Sequence, residues 1–198
     1  MERKNVFLII TAVLIFIAII FFAIYTGLYN ELVSKNTTVD TLYSQVDTQY
    51  QRRIDLIPNL VESTKGYLGH EQKVLIEVTQ ARARYNSAST MNEKVQASGG
   101  LDSALARLLV VVESYPNLKA DTTIRALMDE LAGTENRVNV ARQRYNEGVQ
   151  NYNVMIKSFP SNIVAKRHSF NAQIFFKAGH GASIVPSVSF STQYNQKE

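Results

Sequence analysis

The hydrophobic positions of this chain follow two regimes. From Val6 to Tyr25 nearly every residue is apolar and none is charged. No polar face appears at any helical angle, so the run predicts a helix that crosses a hydrocarbon core of about 30 Å rather than one buried in a protein core. From Tyr29 to Phe159 apolar residues instead recur every three or four positions, the signature of amphipathic helices. Toward the end of that stretch Ile124, Leu131, Val138, Tyr145, Tyr152 and Phe159 fall at seven-residue intervals, with Val149 and Ile156 in companion positions. This coiled-coil-like period lays one stripe along a helix and favours gently supercoiled packing.

Helix ends can be read from the polar residues between the stripes. Asp121 is placed to cap the last long helix, and Phe159-Pro160 stops it, because the residue before a proline is pushed out of helical geometry. An earlier helix from Met91 to Tyr115 carries Leu101, Leu105, Leu108 and Val112. It opens on a Thr90/Glu93 capping box and closes at Tyr115-Pro116. Its Gly99-Gly100 pair weakens the middle by about 1 kcal/mol per glycine relative to alanine.

Upstream, Leu32, Val39 and Val46, then Leu60, Tyr67, Val74 and Ala81, mark two further stripes separated by RRIDLIPN. The expected reading of RRIDLIPN is a helix corner. Arg52 and Arg53 would sit at a helix C-terminus, Asp55 would accept from the next helix's free N–H groups, and Pro58 would occupy the first turn, where a missing N–H costs least. The competing reading is a kink in one helix, since the seven-residue spacing continues through Arg53 and Leu60. Length favours the corner: four segments of about 40, 46, 37 and 57 Å would pack side by side. A bent helix of some sixty residues would leave much of its stripe without a partner.

The expected fold is therefore all-α. Residues 1–28 form a transmembrane anchor, 29–165 an antiparallel up-and-down four-helix bundle, and 166–198 a short, partly irregular C-terminal tail. YTGLYN after the apolar run lacks the small-residue pattern of a cleavage site, so the anchor is expected to be retained. Arg3 and Lys4 precede the span and bias the N-terminus to the cytoplasm, with the bundle outside a bacterial inner membrane.

Charge and composition narrow the function classes. The formal net charge is +4 with pI near 9.2, yet residues 29–160 carry basic and acidic side chains in equal number. The excess sits at the two ends, a poor electrostatic footprint for a nucleic-acid partner. With no cysteine in 198 residues, disulfides, thiolate metal sites and cysteine nucleophiles are excluded.

Catalytic and cofactor signatures are equally thin. His70-Glu71 is half of a zinc-protease motif, but Val74 stands where the second histidine is needed; His168 and His180 are isolated in the tail. AGHGAS is no phosphate-cradling loop, and no serine has a nucleophile-elbow setting. No cofactor or metal is expected. The charges whose spacing points inward are Glu71, Glu135 and Arg142. They predict either a polar pocket or, the favoured reading, an ion-pair set that fixes which helices are neighbours.

RRIDLIPNLVESTKGYLGHE, ESYPNLKA at 113–120 and TENRVNVARQRYNEGVQNYNVMIKSFPSNIVA at 134–165 together resemble the LemA family, from the anchor to about Phe190. The resemblance implies one N-terminal transmembrane helix and an antiparallel four-helix bundle, with no established enzymatic reaction; one branch of the family resembles factors in magnetosome formation. Family positions match at Arg53, Pro58, Glu71, Tyr115, Pro116, Glu135, Asn136, Arg137, Arg142, Tyr145, Asn146, Tyr152, Asn153 and Pro160.

The tail mixes Phe170, Ile174, Phe175 and Phe176 with Lys166, Arg167, His168 and Lys177. It is expected to pack back on the bundle, with docking on anionic lipid as the alternative. The favoured function is a membrane-anchored interaction or scaffold module that binds another membrane or envelope protein, with oligomers possible. The alternative is an envelope ligand sensor whose bundle shifts when a small molecule enters near Glu71 and Arg142.

Overall fold

The computed structural model describes residues 2–67 and 71–177, and among them every regular element is a helix. His70, His180, AGHGAS and the rest of the tail to residue 198 lie outside the described residues. In chain order the helices are α1 (Glu2–Lys65), α2 (Gln72–Ser87), α3 (Met91–Ser114), α4 (Pro116–Ala120), α5 (Thr122–Lys157) and α6 (Ser161–Arg167).

α1 is 64 residues long, about 95 Å at 1.5 Å per residue. It runs unbroken through RRIDLIPN with Pro58 inside it, which corrects the corner expected there; α1 ends at Lys65 and α2 begins at Gln72. Leu32, Val39, Val46, Arg53 and Leu60 form one continuous buried stripe, so the seven-residue spacing was the better guide. The length argument failed because the part of α1 beyond the apolar span finds a full-length partner in the 36-residue α5. Pro58, Arg52 and Asp55 all face solvent, and Asp55 accepts from Gln51 Nε2 at 2.8 Å rather than from a helix N-terminus. A mid-helix proline costs about 3 kcal/mol, and buried Ile54, Ile57 and Leu60 around it each return about 1.5–3 kcal/mol. Packing wins.

Tyr43 meets Tyr145 while Arg53 meets Glu135, so α1 and α5 run in opposite directions. Gly148 lets Leu42 of α1 pack directly on α5: a Cβ there would lie 2.6 Å from Leu42 Cδ1. α2 and α3 form a hairpin tied by Glu77 and Arg107 at 3.1 Å, and the Thr90/Glu93 capping box forms as its pattern predicted. Asp121 caps α5 by accepting from Thr123 N–H at 2.8 Å and Ile124 N–H at 3.1 Å. The four long helices share one core, in which Tyr50, Tyr85, Tyr145 and Tyr152 are the largest fully buried side chains. α3 and α5 have few direct backbone approaches, and the chain's own residues 174–177 line the space between them.

Two surfaces decide how the fold is placed. The apolar side chains from Val6 to Ile24 are 44–73% exposed, and this end of α1 is long and apolar enough to cross a membrane. α3 meets the same length and composition test, but its leucines sit in the shared core. Next to the span, α6 packs beside Tyr25, Leu28 and Leu32 and stops in a Schellman motif: Ser169 takes a left-handed φ of 57°, Phe170 N–H donates to Ala165 O at 3.0 Å and Ser169 N–H to Lys166 O at 3.4 Å. Beyond it Phe170 and Ile174 pack against the core, Phe176 is buried in it and Phe175 is 46% exposed.

Candidate functional site

The buried stripe of α1 carries one charge, Arg53, in the heptad position between Val46 and Leu60. A guanidinium 4% exposed needs partners in the same layer. α3 supplies Asp102 and α5 supplies Glu135: Arg53 Nη1 donates to Asp102 Oδ1 at 2.9 Å, and its other terminal nitrogen pairs with Glu135. Asp102 also accepts from Arg142 Nη2 at 2.6 Å and from the Tyr50 hydroxyl at 3.1 Å, so both of its oxygens are used. Arg142 reaches Ser98 Oγ at 3.3 Å and lies over the Tyr50 and Phe176 rings, 5.3 Å from each centroid. Two cations and two carboxylates thus bridge the open α3–α5 side, where long arginine arms span what backbones leave apart.

A second pair extends this polar layer along α1. Asp47 accepts from Lys94 Nζ at 2.8 Å and from the Tyr85 hydroxyl at 3.0 Å. Burial first, and then the negative charge of Asp47, pushes the Tyr85 phenol far up; burial and then Asp102 do the same to Tyr50. Burial also raises Tyr145, helped by Asp40, to about 12. These tyrosines stay neutral donors at ordinary pH.

Against this geometry the sequence reading splits. Glu135 and Arg142 belong to one network, linked through Arg53 and Asp102. Glu71 does not join them: it is the half-buried N-cap residue of α2, and its side chain makes no cap hydrogen bond. Arg53, assigned to a corner, is the deepest charge of the set; Arg52, Asp55 and Pro58 are outward-facing. Asp102 was missed, although an acid set among Leu101, Leu105 and Leu108 just after Gly99-Gly100 was a visible signal.

The network forms one wall of a cleft of about 540 Å³ lined by Ser98, Gly99, Asp102 and Arg142 on one side and Ile174, Phe175 and Lys177 on the other. A Cβ built on Gly99 or Gly100 meets nothing within 4 Å. The Nε atoms of Arg53 and Arg142 are buried without a hydrogen-bond partner among the described residues. A larger, shallower trough of about 790 Å³ separates α2 from α3 on the outer face, away from the network. Among the described residues no group of three His, Asp or Glu is arranged to hold a metal ion.

The sequence model of the LemA family matches residues 42–190. Among individual relatives, Magnetosome protein MamQ 2 of Paramagnetospirillum magneticum is 26% identical across 81% of this chain and 70% of its own length. Protein LemA of Metamycoplasma hominis is 26% identical across 79% of this chain and 72% of its own. Magnetosome protein MamQ of Magnetospirillum gryphiswaldense is 24% identical, with 81% and 70% covered.

Proposed function

The chain belongs to the LemA family, and on that premise we propose that it is a single-pass, membrane-anchored interaction module that presents an antiparallel up-and-down four-helix bundle to another membrane or envelope protein. One observation carries this reading: α1 continues without a break from the exposed apolar stretch into the buried stripe ending at Leu60. A span fused rigidly to the core of its domain fixes the domain's height and orientation at the bilayer, which suits a scaffold. Tyr25 and Tyr29, beside the span, meet His168 after α6. On the same end Phe159 is 80% and Ile163 58% exposed beside Lys157, Lys166 and Arg167, a composition that suits the headgroup layer. Arg3 and Lys4 favour a cytoplasmic N-terminus in the inner membrane. None of the relatives' names states a reaction, and an Asp102 carboxylate already engaged by Arg53, Arg142 and Tyr50 favours binding over catalysis.

Crosslinking in native membranes followed by mass spectrometry tests the reading. A defined membrane or envelope partner attached to the bundle is the expected result, and a C-terminal reporter active only outside the cytoplasm gives the expected topology. A bundle that crosslinks to nothing, or a reporter active inside, overturns the corresponding half. The cleft beside Arg142 and Lys177 favours a second reading, a ligand sensor. A metabolite that raises the melting temperature by several degrees and loses that effect in Lys177→Ala supports the sensor.

A further inference from the structure

Residues 170–177 are held to the helices in the manner of a bound peptide. The Asn153 carboxamide donates to Gln173 O at 2.9 Å and accepts from Gln173 N–H at 3.0 Å. Seven residues earlier on α5, Asn146 repeats the arrangement on Phe176, donating at 3.0 Å and accepting at 2.9 Å. The Tyr145 hydroxyl donates to Ile174 O at 3.0 Å. The repeat is metrically matched: seven helical residues rise about 10.5 Å, and three extended residues span about 10 Å. Asparagines one heptad apart on α5 therefore read every third peptide unit of an extended chain running antiparallel to the helix.

Those contacts are to main chain, so they carry little sequence information. Specificity comes from one anchor. Phe176 is 4% exposed, edge-on to Tyr145 at 5.1 Å, stacked toward Tyr50 at 6.4 Å and under the Arg142 guanidinium. Neighbouring Ala172, Phe175 and Lys177 face outward. Main-chain pairing plus pockets for selected side chains is how sheet edges capture extended peptides, and here two side-chain amides replace the sheet edge.

We propose that the α5 face toward α3 is a binding site for an extended peptide with a phenylalanine at the anchor position, and that residues 170–177 fill it as a displaceable ligand in cis. The tail leaves α6 through the Schellman turn, and α3 and α5 make few direct approaches that would close the seam behind it. A competing peptide of the same pattern replaces each contact in kind, so exchange leaves no buried amide or ring unpartnered. This deepens the interaction-module reading by naming the partner's chemistry. Its test in detergent needs neither a native partner nor a membrane, so the two readings fail separately.

The full chain in detergent micelles is mixed with a labelled, end-blocked peptide of sequence FNAQIFFK, corresponding to Phe170–Lys177. Phe176→Ala loosens the cis tail, so this variant should bind the peptide about tenfold tighter than wild type, and its melting temperature should rise with peptide. The same peptide with alanine at the anchor should do neither. In the wild type, hydrogen exchange should be slow at the Gln173 and Phe176 amides and quicken when the unlabelled peptide is added in excess. No binding to a folded Phe176→Ala chain, equal binding of the alanine peptide, or wild-type exchange that ignores excess peptide would each overturn the proposal. Should Phe176→Ala fail to fold, the wild-type exchange measurement decides.

Discussion

Replacing Asp102 by alanine removes the acceptor that holds three groups at once: Arg53, Arg142 and the Tyr50 hydroxyl. Arg53 retains Glu135. Arg142, 9% exposed, is left with Ser98 at 3.3 Å and two aromatic faces. Breaking a buried ion pair from one side costs about 3–5 kcal/mol, because the remaining charge stays desolvated. The Asp102 side chain retains 13% exposure and one arginine keeps a partner, which places the expected loss near the low end, about 3 kcal/mol. For a chain of this size that lowers the melting temperature by about 6–12 °C.

Glu135→Ala provides the contrast. Its carboxylate is 39% exposed, so solvent screens the pair and the loss should stay at or below about 1 kcal/mol. Melting of the full chain in micelles at pH 7, followed by far-UV circular dichroism, should rank wild type, then Glu135→Ala, then Asp102→Ala. Adding Arg142→Met to Asp102→Ala removes the stranded cation and should recover part of the loss. The reasoning is refuted if Asp102→Ala melts no lower than Glu135→Ala, or if the double variant melts no higher than Asp102→Ala alone.

Pro58→Ala should raise the melting temperature, since a helix continuous through residue 58 gains an amide and loses a steric clash; a fall would restore the corner at RRIDLIPN. Gly133→Ala meets no atom within 4 Å and should stabilise α5 by about 0.5–1 kcal/mol. Gly148→Ala should forfeit that gain by pressing on Leu42, and paired urea titrations would expose equal shifts as a failure of the packing argument. Burial pushes the Tyr145 phenol up to about 12, and Tyr50 and Tyr85 further, against about 10 in an unfolded chain. These groups contribute their full stability below pH 10 and lose it as pH climbs through 12 and beyond. Absorbance of the buried tyrosinates should therefore appear together with unfolding as pH climbs toward 12, later than that of exposed tyrosines; ionisation of all ten before unfolding would contradict the burial of Tyr50, Tyr85 and Tyr145.

The heptad stripes were legible because a seven-residue apolar repeat is a local property: it marks one face of a helix whatever that face later meets. For the same reason Thr90, Glu93 and Asp121 could be placed as caps, since their hydrogen bonds stay within a single turn. RRIDLIPN misled because its composition fits a capped corner, which local energy favours, while tertiary packing selects a continuous helix with an outward proline. What separates them is whether a partner lies along the inner face, and α5 begins more than sixty residues later. The apolar repeat through Arg53 held that answer, but a charge in a core position looks like an interruption until its counter-ions are seen.

From its sequence alone the chain was bound to be helical and to carry an apolar stretch long enough for a bilayer, because each follows from residue type and period. Only the tertiary structure decided that Arg53 and Arg142 share Asp102, that Glu71 stands apart, and that Asn146 and Asn153 grip the tail's main chain. Charged and amide groups report their need for partners in the sequence. They do not report which distant segment satisfies it, since that depends on how the helices line up and on the gap left between α3 and α5.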